Sequence, residues 1–472
     1  IEDLTVFENL FYSSKLYFGN DTDEEITRKV NECLKSLQLF EIKDLPVGDA
    51  LNKFISGGQR KRLNIALELI REPEILFVDE PTSGLSSNDA ENVMDLLKLL
   101  TLSGKLIFVV IHQPSSEIFK LFDELLILDK GGYPIYFGNP LDSVRYFKKQ
   151  MNFVDYESSE CPECGNINPE EIFRIVEART VDEFGKSTGN RKMEPDEWAE
   201  LYNEHFGVGS DLNESDGGTQ HKFKHVTLSS RIGQFLVYFK RNFFAKLNNK
   251  QYLAITLSEG PVLALVLSIA LRSHPHDQPY SFGANPNIPV YIFICTIVAL
   301  FLGLISSAEE IISDKKILKR ESFLRLSRSS YLISKVSYLF LVSALQAGTF
   351  FSVSYFILGF PGLFWQYFLV LFSVACFGNM LGLNISSGLK TRVAVYILIP
   401  FLIIPQIMLS GVMVKFDDLN PLEKIPMFST THSKVPLIGN MMASRWAYEG
   451  LATYQYCNND FEQPLFNAHC QK

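Results

Sequence analysis

Five long apolar runs crowd into the second half of this 472-residue chain, and they constrain its fold more than any other feature. Each is long enough to cross a bilayer as a helix, which satisfies its own backbone hydrogen bonds in lipid. Buried helices of a soluble protein are the alternative, but so many runs within one third of the chain favour a membrane domain. We predict an all-α polytopic domain over 249–414, with spans near 252–272, 289–309, 333–358, 363–386 and 393–414.

The loops between these runs differ in charge, which predicts the orientation in the membrane. Basic residues precede the first run and fill the loop between the second and third, whereas the opposite loops hold little beyond Arg272. Because basic loops stay in the cytosol, the N-terminal part of the chain is predicted to be cytosolic. An odd number of spans then makes residues 415–472 an extracytoplasmic segment.

The N-terminal part alternates between strand-like and helix-like segments. Residues 75–79 form an apolar run of strand length, and a second such run covers 105–111. Strands that alternate with helices indicate βα units and a parallel sheet, so residues 1–150 are predicted to be an α/β domain. Residues 151–228 are polar and are interpreted as a linker with some helix, over 170–178 and 196–205. The net charge of −9 gives no reason to expect a nucleic acid partner.

Two charged segments flank the first two spans. Residues 229–248 have an amphipathic pattern that suits the membrane interface, with Arg241 and Lys246 off the apolar stripe. The mixed charge of Glu309–Lys335 suits salt bridges to another domain, and a solvated loop is the alternative.

Three motifs carry chemistry in the α/β domain. The strand at 75–79 ends at Asp79-Glu80, where Asp79 could hold Mg²⁺ through water and Glu80 could polarise an attacking water, as ATP hydrolysis requires. The strand at 105–111 ends at His112, placed to contact a γ-phosphate. Ser56-Gly57-Gly58-Gln59 opens a helix, where backbone N–H groups and the serine hydroxyl can face an anion.

In this order and at this spacing, the motifs resemble those of ABC ATPases. Ser56-Gly57-Gly58-Gln59 resembles the ABC signature, Asp79-Glu80 the Walker B motif and His112 the switch histidine. Pro81-Thr82-Ser83-Gly84-Leu85 resembles the start of the D-loop. Among ABC transporters, the chain most resembles the white-type, or G, subfamily. The resemblance lies in the segments Gly58–Ala66, His112–Ser116 and Tyr136–Gly138.

The resemblance implies a P-loop-type α/β ABC ATPase domain, N-terminally truncated here, followed by the membrane domain. It implies a half-transporter in which two subunits, identical or different, sandwich two ATP molecules with Mg²⁺. Glu80 and His112 would be catalytic, and Asp79 would lie at the metal. The residues implied to bind nucleotide are Ser56, Gly57, Gly58, Gln59, Ser83, Gly84, Leu85 and Ser86.

The function implied is ATP-driven export of a hydrophobic or amphipathic, lipid-like substrate across a membrane. The segment at 229–248 would be the family's connecting helix, and Glu309–Lys335 would contain the coupling helix that contacts the ATPase. Two alternatives stay open. One is a non-transporting ATPase that acts mechanically on envelope lipid or a protein partner, and the other is a catalytically silent subunit of a heterodimer.

A phosphate-binding loop is missing from the sequence, which has no Gly-x-x-x-x-Gly-Lys-Ser/Thr motif. Leu4–Leu10 resembles the segment just after the family's Q-loop, so a P-loop is expected upstream of residue 1. A sixth span is likewise expected beyond Lys472. A family member that never had a P-loop is the alternative. Residues 1–472 alone are therefore expected to be inactive as an ATPase.

Ser86 departs from the D-loop pattern, which usually has Asp after Gly-Leu. A serine can still hydrogen-bond, but it has no charge. From the sequence, Ser86→Asp is expected to keep ATP binding and to raise turnover, because a carboxylate accepts stronger, charge-assisted hydrogen bonds across a dimer interface.

Three further features have open alternatives. Cys161-x-x-Cys164 could be reduced thiols, half of a zinc site or a redox pair. Cys457 and Cys470 fall in the predicted external segment, where a disulfide is permitted. Glu259 lies inside the first apolar run, where it could contact substrate or bond to a neighbouring helix.

Overall fold

The structure is a computed structural model that describes residues 1–19, 21–49, 52–153, 166–181, 187–206, 230–272, 287–324, 326–359, 362–414, 416, 435 and 437–457. The chain divides into two compact units. The N-terminal unit comprises residues 5–14 and 22–226, and the helical unit comprises residues 1–4, 15–21 and 227–472. Cys161, Cys164 and Cys470 lie outside the described residues, so the zinc, redox and disulfide alternatives stay predictions.

The first 206 residues contain short helices and three two-stranded sheets among their described parts. The helices are α1 (Val6–Tyr17), α2 (Asp23–Ser36), a 3₁₀ turn (Phe40–Ile42), α3 (Gly57–Leu69), α4 (Ser87–Leu102), α5 (Ser116–Lys120), α6 (Pro140–Gln150), α7 (Glu170–Val176) and α8 (Pro195–Phe206). The strands are β1 (Ile75–Asp79), β2 (Leu106–Val110), β3 (Leu125–Leu128), β4 (Pro134–Gly138), β5 (Arg179–Val181) and β6 (Ser187–Arg191).

The predicted βα unit is present as β1, α4 and β2. The two strands pair in parallel, with Ile75 opposite Leu106 and Asp79 opposite Val110. Their carboxyl ends therefore lie at the same edge of the sheet. One side of the unit packs on a core that includes Leu63, Leu76 and Val93.

The other face of β1 and β2 is uncovered in this structure. Phe77 is 77% exposed, and its ring stacks on that of Phe108 with 4.9 Å between centroids. Ile75, Leu106 and Val110 are also exposed. Parallel sheets in α/β proteins are usually covered on both faces, whereas among the described residues this pair of strands is covered on one.

The segment interpreted as a polar linker contains helices close to the two that were expected within it, and these helices are packed. Within 151–228, α7 and α8 are packed helices of the N-terminal unit. Trp198 of α8 is fully buried, and its ring meets that of Phe147 edge-on, with 5.3 Å between centroids. Sparse apolar residues in a charged background concealed this core, because a few large side chains bury enough area to fix short helices.

The helical unit contains the predicted apolar runs as helices. The described helices of this unit are α9 (Arg231–Asn248), α10 (Lys250–Leu271), α11 (Ile288–Ala308), α12 (Glu310–Glu321) with a 3₁₀ turn (Ser322–Leu324), α13 (Arg328–Leu358), α14 (Phe364–Gly388), α15 (Arg392–Met408), a 3₁₀ turn (Leu437–Met441) and α16 (Ala443–Cys457). Four described helices are long and apolar enough to cross a membrane, namely α10, α11 (continuous with α12), α13 and α14. The fifth predicted span is a shorter apolar helix, α15, which contains Pro400 and Pro405.

α16 lies in the segment predicted to be extracytoplasmic. Its Ala447 and Leu451 are buried in a core shared with α11 and α14. Ser444 bonds to Gln406 near the end of α15, and Tyr454 receives a hydrogen bond from Gln366 at the start of α14. α16 therefore lies beside the end of α15 and the start of α14.

Small residues let α11 and α14 approach closely. Gly378 and Gly382 repeat at a four-residue spacing on α14 and face Leu300, Gly303 and Leu304 of α11. A Cβ atom at Gly378 would lie 2.6 Å from the carbonyl oxygen of Leu300. Such small-residue contacts drive helix association in lipid. Lipid tails are as apolar as the helix surfaces, so close packing replaces the hydrophobic effect as the driving force.

Gly378→Ala is expected to destabilise the helical unit by about 1–3 kcal/mol, because the new methyl group must push two backbones apart. Gly348→Ala is the matched control on α13, where the added atom would meet Phe368 at an ordinary 3.6 Å. Thermal unfolding of the purified protein in detergent measures the difference. Equal midpoints for the two variants would show that the α11–α14 contact tolerates the extra volume.

Candidate functional site

The carboxyl edge of the β1–β2 pair holds Asp79, Glu80 and His112 close together. Asp79 is the last residue of β1 and is exposed, whereas Glu80 is half-buried. The Glu80 N–H donates to the carbonyl oxygen of Val110 at 2.8 Å, which ties the two strand ends together. His112 follows two residues after that carbonyl.

Glu80 has an unusual backbone that its neighbours hold in place. Its φ is +43°, a left-handed conformation that non-glycine residues rarely adopt. Lys61 Nζ of α3 donates to the Glu80 carbonyl oxygen at 3.0 Å, while the amide is bound to Val110. Strain of this kind persists only where the surroundings fix it, and it concentrates at functional sites.

A cavity of about 360 Å³ opens beside these strand ends. Its lining includes the side chains predicted to be catalytic, Glu80 and His112, and the D-loop residues Ser83 and Leu85. None of the described residues Ser56–Gln59 lines this cavity, nor do Asp79, Gly84 and Ser86.

The signature residues instead begin α3 in a capping box. The Ser56 hydroxyl accepts a hydrogen bond from the Gln59 N–H at 3.2 Å, and Gln59 Oε1 accepts from the Ser56 N–H at 2.8 Å. This reciprocal pair satisfies two donors at the helix start. The serine side chain is exposed, as is Gly57, so this helix N-terminus is open to a ligand from another molecule.

The D-loop meets the signature within the same chain. Ser86 is the N-cap of α4, and its hydroxyl donates to Asp89 Oδ2 at 2.9 Å while accepting from the Asp89 N–H at 3.2 Å. A Cβ atom at Gly58 would lie 2.7 Å from Asp89 Oδ1, so only glycine allows this approach. Gly57 similarly faces Leu85.

Sequence reasoning missed two residues of this site, Lys61 and Asp89. Asp89 could have been found, because an acidic residue three positions after a serine N-cap is a known helix-start pattern. Lys61 carried no local signal, since its contact with Glu80 joins positions 19 residues apart.

Metal ligands are few at this edge. Among the described residues, no cluster of three or more His, Cys, Asp and Glu side chains is placed to hold a metal ion. Mg²⁺ usually takes one or two carboxylates and completes its shell with phosphate and water oxygens. The exposed Asp79 beside Glu80 fits that kind of site.

A second cluster of charges lies within the helical unit, where α9, α12 and α13 meet. Glu310 and Lys335 are each 4% exposed and form an ion pair at 2.7 Å. Lys246 binds the other oxygen of Glu310 at 2.6 Å, and Asp314 binds Lys335 at 2.8 Å. Burial by itself would lower the pKa of Lys246, but Glu310 raises it above its usual value, so the ammonium group stays charged.

Arg241 extends this cluster. It lies off the apolar stripe of α9, as predicted, but it is buried and forms an ion pair with Glu321 at the end of α12. The acidic residues of the Glu309–Lys335 segment that pair with Lys246, Lys335 and Arg241 therefore do so inside the helical unit. The expectation of salt bridges from these acids to another domain differs from what the structure shows.

Sequence families match both units of the chain. The family described as ABC transporter matches residues 1–83, and families described as ABC-2 type transporter match residues 112–225 and 233–430. The chain is 28% identical over 436 residues to the broad substrate specificity ATP-binding cassette transporter ABCG2 of Sus scrofa, covering 89% of this chain and 66% of that protein. The chain thus spans slightly less than two thirds of that relative.

Shorter matches have higher identity. ABC-type transporter claG of Penicillium crustosum is 43% identical over 149 residues, 31% of this chain and 20% of that protein. ABC transporter G family member 13 of Arabidopsis thaliana is 43% identical over 145 residues, 30% of this chain and 21% of that protein. An ABC ATPase domain followed by an ABC-2 membrane domain makes this a multi-pass membrane protein with its ATPase domain in the cytosol. The chain thus combines an ABC transporter segment with ABC-2 type transporter segments, and it is similar to ABC transporters of the G family.

Proposed function

We propose that the protein is the motor and membrane part of an ATP-driven exporter of hydrophobic or amphipathic, lipid-like substrates. The observation that carries this proposal is the cavity at the carboxyl edge of β1 and β2, which brings Glu80, His112 and Ser83 together. A carboxylate and an imidazole at one polar cavity are the groups that could orient a water and a terminal phosphate. Helices long enough to cross a membrane follow in the same chain.

The nucleotide site is proposed to be completed by a second subunit. Ser56 and Gly57 at the start of α3 are exposed, and Ser56–Gln59 do not line the cavity. A helix N-terminus binds anions through its free N–H groups, so Ser56, Gly57 and Gly58 would hold the phosphates of an ATP molecule bound by the partner. Mg²⁺, held near Asp79, would neutralise phosphate charge. Glu80 would hold the attacking water as its general base.

The charge cluster suits a coupling role in this scheme. α12 is attached to α9 and α13 through Glu310, Glu321, Lys335 and Arg241. Buried ion pairs of this kind hold helices in register. A displacement of α12 would therefore be passed to α13 rather than absorbed by a flexible loop.

Reconstitution of the complete gene product in proteoliposomes tests the proposal. The assay would combine ATP hydrolysis with ATP-dependent movement of a fluorescent phospholipid panel and a hydrophobic dye. Hydrolysis with flux supports export. Hydrolysis that lipid stimulates without any flux supports the mechanical ATPase. No hydrolysis until a second, different subunit is added supports the silent heterodimer subunit.

The proposed topology places α12 in the cytosol and residues 415–472 outside. In a cysteine-free background, Asp418→Cys is expected to react with an impermeant maleimide in intact cells, whereas Lys319→Cys should react only after permeabilisation. Lys319 suits the assay because its side chain is exposed on α12. Labelling of position 319 but not of 418 in intact cells would overturn the orientation.

A further inference from the structure

We propose that Asp89 supplies the D-loop carboxylate that Ser86 lacks, and that it couples the signature of one nucleotide site to Glu80 of the other. This inference rests on the proposed function. It starts from a juxtaposition inside one chain: the Asp89 side chain touches Gly58 of the signature and binds the hydroxyl of Ser86 in the D-loop.

A negative charge lies beside Ser86, the position at which the family pattern has an aspartate. The residue that carries it, Asp89, comes three positions later in the sequence. Asp89 Oδ2 lies 2.9 Å from the Ser86 hydroxyl, so the carboxylate is within hydrogen-bond reach of the position that an aspartate at 86 would occupy. The serine hydroxyl donates to this carboxylate and accepts from the Asp89 N–H, which fixes the side chain. The carboxylate of Asp89 is thus held directly beside the side chain of Ser86.

The second oxygen of Asp89 reaches the signature. Oδ1 would lie 2.7 Å from a Cβ atom at Gly58, the second residue of α3. A carboxylate near the start of a helix is attracted by the positive end of the helix dipole. Asp89 therefore lies at the contact between the N-terminus of α3 and the start of α4.

This contact joins two nucleotide sites. In the proposed dimer, the signature faces the ATP held by the partner, whereas Glu80 faces the ATP held by its own chain. Residues 81–88 connect Glu80 to Asp89 along the chain, and Ser83 and Leu85 line the cavity with Glu80. A shift of the signature toward a phosphate would therefore pull on the segment that positions Glu80. Asp89 acts here as a positioning residue.

The structure reverses the expected sign for Ser86→Asp. A second carboxylate at 86 would lie within hydrogen-bond distance of Asp89, and like charges at that separation repel. Ser86→Asp alone should therefore lower turnover. The transposed double variant Ser86→Asp/Asp89→Ser should restore it, because one carboxylate is again present at the junction.

The test compares D89N, S86D and S86D/D89S in the complete gene product. The amide side chain in D89N keeps the shape of the carboxylate and an acceptor for Ser86, so this variant should unfold at the parent's temperature and bind ATP normally. Its turnover is expected to fall about two- to fivefold, the effect typical of a charge at a helix N-terminus, with a Hill coefficient for ATP closer to one. The double variant should return to within about twofold of the parent.

Asp95→Asn is the matched control, since Asp95 is an exposed aspartate on the same helix. A D89N protein with the parent's turnover and Hill coefficient would overturn the inference while leaving the exporter proposal intact. A double variant no more active than S86D would also overturn it. A parent without ATPase activity would instead defeat the proposed function. In that case, amide hydrogen exchange at residues 56–59 would still test the contact between Asp89 and the start of α3. Exchange is expected to speed up in D89A but not in D95N.

Discussion

Glu80→Gln in the complete gene product is expected to abolish most ATP hydrolysis while ATP binding persists. The amide is nearly isosteric with the carboxylate but cannot accept a proton, and loss of a general base typically costs about 10²–10⁴-fold in rate. The structure strengthens this expectation. The backbone of residue 80 is bound at both its amide and its carbonyl, so the glutamine should occupy the same place.

Single-turnover hydrolysis and nucleotide-binding assays on the same preparation measure the two properties separately. Glu74→Gln is the matched control, because Glu74 is an exposed residue just before the opposite end of β1. It should hydrolyse ATP at the parent's rate. If Glu80→Gln turned over within about threefold of the parent, another group in the cavity would have to orient the water.

Glu310→Gln is expected to be the most destabilising single change in the helical unit. Glu310 binds Lys246 and Lys335 with one oxygen each, so its neutralisation leaves two ammonium groups facing an uncharged amide. Breaking a buried ion pair by removing one partner costs about 3–5 kcal/mol. The variant should unfold at a lower temperature in detergent than the parent.

The neighbouring Glu309→Gln provides the control. Glu309 pairs with Arg392 at 3.7 Å, and Arg392 is 60% exposed. Exposed pairs contribute about 0–1 kcal/mol, so this change should have little effect. Equal unfolding midpoints for the two variants would contradict the role assigned to the buried cluster. In Glu310→Gln/Lys246→Met, partial recovery of the midpoint is expected because the ammonium group that Glu310 no longer neutralises is removed, while Lys335 keeps its ion pair with Asp314.

Several features of this protein could be predicted because their causes are local. The membrane helices follow from run length and hydropathy, which act on each segment separately. Asp79 and His112 lie at one edge of the sheet because parallel strands that follow one another along the chain end on the same side. The start of α3 follows from Ser56 and Gln59, whose capping bonds span three residues.

The features that could not be predicted depend on contacts between distant segments. Arg241 looks like a solvent-facing charge on α9 until α12 places Glu321, 80 residues later, against it. Trp198 looks like an isolated aromatic residue in a polar stretch until Phe147 packs on it. The spacing of Gly378 and Gly382 on α14 is visible in the sequence, but it does not show that α11 is the helix that packs against them.

Ser86 shows the difference within the site itself. The sequence determined that the usual aspartate is absent, and it indicated a weakened D-loop. The bond between Ser86 and Asp89 is local and spans three residues, but only the tertiary structure decided that Gly58 of α3 lies against this carboxylate. Electrostatic effects depend on where charges lie in space, and the position of a charge along the chain determines that place only after the helices have packed.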